Sequence, residues 1–210
     1  MKLFNEQDID NIRDRLLVII NQVLENSKIL VNNISILSDN DIALLQKFNN
    51  TGNITLTDET IVSRFERIVC ENGNKIALIY KDLKITYTEF NKKINAIANN
   101  LIKLGIKQCS PISMIFDKSP EMFMTMLAIQ KTGCYFIPIL PEEEQERAEF
   151  IIKNSDSKLL ITQKKYSTQI SKNIISNQLI IDDLLNGNTN NPNLNINQDD
   201  LCYMIYTSGS

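Results

Sequence analysis

The sequence reaches its last residues through Tyr206-Thr207-Ser208-Gly209-Ser210, where an apolar run gives way to a hydroxyl-rich turn. Thr207, Ser208 and Ser210 bring hydroxyls and closely spaced backbone N–H groups, the donors that anionic phosphate oxygens require. Gly209 permits positive φ and a close approach of backbone to ligand. Taken alone the signal is weak, because Ser/Thr/Gly turns are common and a surface turn or a helix N-cap region reads the same way. It is neither G-x-x-x-x-G-K-[ST], since no lysine follows, nor G-x-G-x-x-G.

The remaining residue types narrow the chemistry. Histidine is absent, which removes the commonest general base and the commonest metal ligand. Cys70, Cys109, Cys134 and Cys202 form no C-x-x-C pair. Cys134 and Cys202 sit in apolar runs, where a thiol behaves as a small hydrophobe, so all four are expected to be structural. A net charge of −3 and a pI near 5.1 leave no basic footprint for nucleic acid. No apolar run approaches the ~18 residues of a membrane span. The opening "MKLFNEQDIDNIRDR" is acidic and amphipathic, unlike a signal peptide. Neither a nucleic acid nor a membrane is expected as a partner, and the cytoplasm is the default location.

The elements that must carry such a turn follow from periodicity. Ile9, Ile12, Leu16, Ile19, Ile20 and Val23 predict one amphipathic helix over residues 6–25. Ser38 caps a second helix with Ile42, Leu45 and Phe48 on its stripe, and Thr57 opens a third that carries Ile61, Phe65 and Ile68 and ends at Gly73. "KIALIYKDLKITY" reads as a hairpin turning at Lys81-Asp82. Thr86 and Glu89 form a capping box ahead of Phe90, Ile94, Ile97, Leu101 and Leu104, and Gly105 closes that helix. "PISMIF" is a strand. "KSPEMFMTMLAIQKTG" is a helix capped by Ser119, with Pro120 in its first turn and Lys131 in its last. It is apolar nearly all round and should be covered on more than one side. "CYFIPI", "KLLIT", "QLII" and "CYMIY" are further strands, with a helix at 143–153 between the first two and an asparagine-rich surface loop at 186–200 before the last. Continuously apolar strands alternating with helices predict an α/β fold with a mostly parallel sheet covered on both faces.

Three stretches, in this order, resemble the core motifs of nonribosomal peptide synthetase adenylation domains, which belong to the adenylate-forming enzymes. "ITYTEFNKKINAIANNLIKLGI" is similar to the first motif, "IQKTGCYFIPI" with "ERAEFII" to the second, and "DLCYMIYTSGS" to the opening of the third. "ISILSDNDIALLQKFNNTG" resembles the linker that leads into such a domain from a condensation domain. The resemblance implies three regions: a condensation-like C-terminal helix at 1–30, a linker at 31–56, and the N-terminal part of an AMP-binding adenylation domain at 57–210. It implies ATP and Mg²⁺ as cofactors, an amino-acid substrate activated as its adenylate, and phosphopantetheine on a separate carrier domain. Carrier and condensation domains of the same synthetase would be the partners. Thr207, Ser208, Gly209 and Ser210 match the part of the family's loop that holds the β- and γ-phosphates, with the hydroxyls near the metal. Tyr206 is expected to pack at the strand end.

No residue outside this loop matches a catalytic position, and none is read as a metal ligand. Where the family has an aspartate after the second motif's strand this chain has Leu140, and Glu142–Glu144 beside it read as a solvated charge run. The loop looks cut within its motif, so the 210-residue chain alone is expected to form no adenylate and to fold poorly. Two alternatives remain open from the sequence: a part of another adenylate-forming enzyme such as an acyl-CoA synthetase, or a non-catalytic gene remnant.

Overall fold

The structure is a computed structural model that describes residues 5–50 and 59–207. The chain divides into two compact units, Met1–Leu56 and Thr57–Ser210.

The first unit is helical. Helix α1 spans Glu6–Glu25 and starts with a capping box in which Asn5 and Asp8 satisfy each other's backbone N–H groups. Helix α2 spans Asp39–Asn49 and repeats the device with Ser38 and Asp41. Arg15 joins the two with paired bonds to the Asp41 carboxylate, at 2.9 and 2.7 Å. The Gln22 side chain adds a second tie, donating to Ser35 O at 2.8 Å and accepting from Ser35 N at 3.0 Å.

The second unit is α/β. Helix α3 (Ile61–Asn72) is capped by Thr60, whose hydroxyl accepts from Ser63 N. The residue expected to open it, Thr57, lies outside the described residues. Strands β1 (Ile76–Tyr80) and β2 (Leu83–Thr86) pair antiparallel around Lys81-Asp82, with Lys81 at a φ of 53°. Helix α4 (Tyr87–Lys103) follows, capped by Thr86 and Glu89 as expected. Then come β3 (Pro111–Ile115), α5 (Pro120–Lys131), β4 (Tyr135–Ile139), α6 (Gln145–Asn154), β5 (Leu159–Thr162), β6 (Gln178–Ile180) and the short α7 (Ile181–Leu184).

Strands β3 to β6 form one sheet in the order β4-β3-β5-β6, every pair parallel, as expected. The unbroken apolar runs are sorted by strand alternation between two faces. Ile112, Met114, Phe136 and Ile161 pack with α4 and α5, while Ile115, Ile137, Ile139 and Leu160 pack with Ala148, Ile151 and Ile152 of α6. Helix α5 is covered on more than one side by α4 and the sheet, although Phe123 stays exposed.

Two expectations need correction. Leu104 is exposed, because the helix has already ended at Lys103 and Leu104 is its C-cap. Ser119 stands at the N-cap of α5, but its hydroxyl makes no capping bond. Lys131, placed by the sequence in the last turn of α5 with no partner assigned, is 1% exposed and bonds Glu66, Asn91, Asn95 and Asn191. The asparagine-rich loop is exposed at residues 186–190, as expected, and its first part is laid along α4 as a strap. Asn95 donates to Thr189 O, Asn99 to Asn188 O and Asn190 O, and Asn100 to Leu184 O and Asn186 O, at 2.8–3.1 Å. Carboxamides spaced by four residues lie above one another on a helix, which is why one face can hold a chain segment by its carbonyls.

Candidate functional site

The strap leads to residues 201–207, which contain the run expected to be a further strand, 202–206. It is not a regular strand. Tyr203 makes one isolated parallel bridge to Phe136, and Met204 N donates to Phe136 O at 3.0 Å. The segment alternates all the same, with Leu201, Tyr203 and Ile205 exposed and Met204 and Tyr206 packed against the α6 side of the core. One side of the segment lies against β4. Among the described residues no strand pairs with its other side, so a ladder does not extend.

Because the bridge is parallel, the chain leaves this segment in the direction of the carboxyl ends of β3, β4 and β5. That is the end of an open parallel sheet where ligands bind. Thr207 is exposed there. Ser208, Gly209 and Ser210, the other residues read from the sequence as phosphate-binding, lie outside the described residues.

Helix α6 fixes the approach to Thr207. Arg147 Nη2 donates to Thr207 O at 3.0 Å, and the guanidinium lies 6.0 Å from the Tyr206 ring centroid and 5.3 Å from that of Phe150. The Tyr206 hydroxyl donates to Asn154 Oδ1 at 2.6 Å, and its ring meets Phe150 edge-on. Tyr206 therefore packs, as expected from its place in an apolar run. Arg147 was quoted within a motif but given no role by sequence reasoning. Its signal is the pairing of Arg147 with Phe150 and Asn154 at helical spacing, which becomes legible only once the 201–207 segment is seen beside it.

A second polar group sits at the same end of the sheet. Asp117, just past β3, accepts hydrogen bonds from the Lys165 ammonium and the Tyr166 hydroxyl, which stand just past β5. Its backbone N–H donates to Gln163 Oε1 at 2.9 Å. The Lys165 bond, with help from Tyr166, holds the Asp117 carboxyl below its usual range. Sequence reasoning missed this group because its members are far apart in sequence and meet only through the β3–β5 pairing.

Glu142 and Glu144 are exposed, in keeping with a solvated run. Leu140 is 64% exposed after β4, and its carbonyl accepts from Glu143 N at 3.1 Å. Burial raises the thiol pKa values of Cys134 and Cys202, so both stay protonated near neutral pH. No group of three or more Cys, Asp or Glu side chains gathers as a metal site among the described residues. A groove of about 550 Å³ opens at the other end of the sheet, against Ile106, Lys107, Pro111, Lys158, Leu159 and Gln178. It lies at the amino ends of β3, β5 and β6, away from Thr207. No helix among the described residues is long and apolar enough to cross a membrane.

Residues 65–210 match the family model of AMP-binding enzymes. Among individual proteins, the chain is 30% identical over 210 residues to tyrocidine synthase 3 of Brevibacillus parabrevis, covering 100% of this chain and 3% of that protein. It is 28% identical over 211 residues to gramicidin S synthase 2 of Brevibacillus brevis, covering 100% of this chain and 5% of that protein. The chain thus spans a small fraction of the length of the curated relatives it matches. A crystal structure of a nonribosomal peptide synthetase, FmoA3, superposes with a TM-score of 0.81 at 18% identity, over 98% of this chain and 23% of that one. At that identity the likeness shows the fold.

Proposed function

Since the chain belongs to the family of AMP-binding enzymes, we propose that it serves amino-acid activation as the N-terminal part of a nonribosomal peptide synthetase adenylation domain. Residues 57–210 would be that part, residues 31–56 the linker, and residues 1–30 the closing helix of a condensation-like domain. Similarity to peptide synthetases across the whole chain supports this reading. The observation that carries it is structural: a hydroxyl residue, Thr207, emerges at the carboxyl end of a parallel sheet with a guanidinium beside it.

The donor set suits a polyphosphate. Thr207 and Ser208 bring hydroxyls, Gly209 an unhindered backbone, Ser210 a further hydroxyl, and Arg147 a positive charge. ATP supplies the α-phosphorus that an amino-acid carboxylate attacks, with pyrophosphate as leaving group. Mg²⁺ would be held by the phosphates with the Thr207 and Ser208 hydroxyls nearest to it. This chain's own task is to align and neutralise those phosphates, which fixed donors do without a histidine base. A phosphopantetheine thiol on a carrier domain would then accept the activated acyl group.

Titration of the isotopically labelled chain with ATP and Mg²⁺ tests the reading. Amide resonances of Thr207, Ser208 and Gly209 are expected to shift, while those lining the groove at the amino ends of the strands stay in place. Shifts confined to that groove would remove the phosphate reading. Resting on the motif alone, the acyl-CoA synthetase alternative predicts the same shifts, but adding coenzyme A should then produce a second set.

A further inference from the structure

We propose that the groove at the amino ends of β3, β5 and β6 is a binding site for a small amphipathic carboxylate, a molecule with an apolar body and a single anionic head. The site is independent of the function proposed above, because it lies at the opposite end of the sheet from Thr207. Its volume, about 550 Å³, falls within the range of cavities that enclose small organic ligands.

The floor is rigid and apolar. Ile112 of β3 and Leu159 of β5 stand opposite each other in the parallel register and are 0% and 7% exposed. Both belong to the core that α4 and α5 cover, so the floor cannot retreat without disturbing the sheet. The wall is apolar without being buried. Helix α4 ends at Lys103, Gly105 turns the chain at a φ of 75°, and Leu104 and Ile106 on either side of it line the groove. Leu104 is 57% exposed. A lone exposed leucine on a surface needs no explanation. One that lines a hollow with an apolar floor offers a ligand apolar surface to cover.

The rim sets the charge of the ligand. Lys107, Lys158 and Asp156 are the ionisable side chains that line the groove. Asp156 pairs with Lys158, and their side chains are 79% and 78% exposed, so water and salt weaken that pair. The rim therefore carries one positive charge in excess, in a chain whose formal charge is −3. A carboxylate head supplies the balancing charge and accepts from the Lys107 ammonium, while Ser176 and Asn177 add neutral donors. A neutral amphiphile would leave the excess as it is, and a cationic one would add to it.

The experiment follows amide resonances of the full chain during titration with octanoate, and with acetate, 1-octanol and octylamine as probes of head, body and sign of charge. Octanoate is expected to shift Ile106, Lys107, Leu159 and Leu179 to saturation and to leave Thr207 in place. It should bind at least about tenfold more tightly than 1-octanol, the difference that one charge-assisted hydrogen bond makes. Acetate and octylamine should leave these resonances unmoved at the same concentrations. Lys107→Gln should remove most of the tenfold advantage without changing the binding of 1-octanol, whereas Leu104→Ser should weaken both ligands. Both positions are exposed, so the variants should melt like the unaltered chain. If Lys107→Gln does not, Lys158→Gln, which loses only an exposed pair, takes its place. Equal binding of octanoate and 1-octanol overturns the proposal, as does octanoate binding by Lys107→Gln at the strength of the unaltered chain. So do acetate shifts equal to those of octanoate, shifts that spread over the whole surface without saturating, and an absence of shifts at the groove. Thr207 and the groove are read from the same spectra, so failure of this proposal is distinct from failure of the phosphate reading.

Discussion

Lys131 of α5 and Glu66 of α3 meet at 2.5 Å, with the lysine side chain 1% exposed and the glutamate side chain 27%. The ammonium also reaches the side-chain oxygens of Asn91, Asn95 and Asn191 at 2.8–3.1 Å. One cation thereby joins three helices and the strap. Replacing it by Met keeps the volume but leaves the carboxylate and three carboxamide oxygens without their shared donor. Lys131→Met is expected to cost about 3 kcal/mol, at the low end for breaking a buried ion pair because Glu66 keeps some water. Urea denaturation would measure it.

The same lysine predicts a pH dependence. Burial drives its pKa below the ordinary 10.5, and the hydrogen bond and charge of Glu66 only partly oppose that shift. The unfolded chain then holds this proton more tightly than the folded chain does. Stability should rise as pH climbs through the window between the depressed value and 10.5, and level off above it. Stability curves of the unaltered chain and Lys131→Met, compared across that window, should diverge; parallel curves would show that the lysine titrates normally.

Asn95 is the centre of the strap's attachment. It accepts from Lys131 and donates to Thr189 O and to Asn191 Oδ1, at 2.7–2.9 Å. Asn95→Ala should cost about 2 kcal/mol, since it takes an acceptor from the buried Lys131 ammonium. Its signature should be local: faster amide exchange across residues 184–191, with protection in β3 and β5 little changed.

The capping box of α4 gives a prediction of the same sign as that of Lys131, in the acid range. The Thr86 backbone N–H, and then its hydroxyl, hold the Glu89 carboxyl below its ordinary 4.5. A carboxyl depressed in the fold contributes stability above the unfolded value and loses it as pH falls through the folded value. Melting temperatures should therefore favour the unaltered chain over Glu89→Gln at about pH 7 and show no such advantage at about pH 3.

Leu140 offers a gain. It is exposed at a turn where its carbonyl already accepts from Glu143 N. An aspartate there could accept from the backbone N–H groups two or three residues on, as side chains of that type do at turns. Leu140→Asp should stabilise the chain by about 0.5 kcal/mol and remove an apolar side chain from the surface, both readable by thermal melting.

The elements of this chain were legible where local rules suffice. The helix of residues 6–25, the caps at Ser38 and Thr86 and the hairpin at Lys81-Asp82 all follow from spacing and end chemistry within a few residues, and the structure has each of them. Parallel pairing was legible because strands buried on both faces need continuous apolar runs. What stayed hidden depends on distant partners. Lys131 looks like a C-terminal cap until Glu66 and three asparagines surround it. Asn91, Asn95, Asn99 and Asn100 look like a polar helix face until the strap lies on them. Leu201–Tyr206 has the composition of a strand, but pairing depends on neighbours, and the described residues supply one bridge. Thr207 was named from the turn, while Arg147 became visible only through the segment's placement beside α6.

Ahead of Asn191 the strap is held by its main-chain oxygens, and that separates two kinds of sequence change. A carbonyl is the same chemical group whichever side chain it belongs to, so most substitutions within residues 184–190 leave the fastening untouched. A change of length does not. Removing a single residue would turn the wrong set of carbonyls toward Asn95, Asn99 and Asn100. Here the information resides in the count of residues more than in their identity.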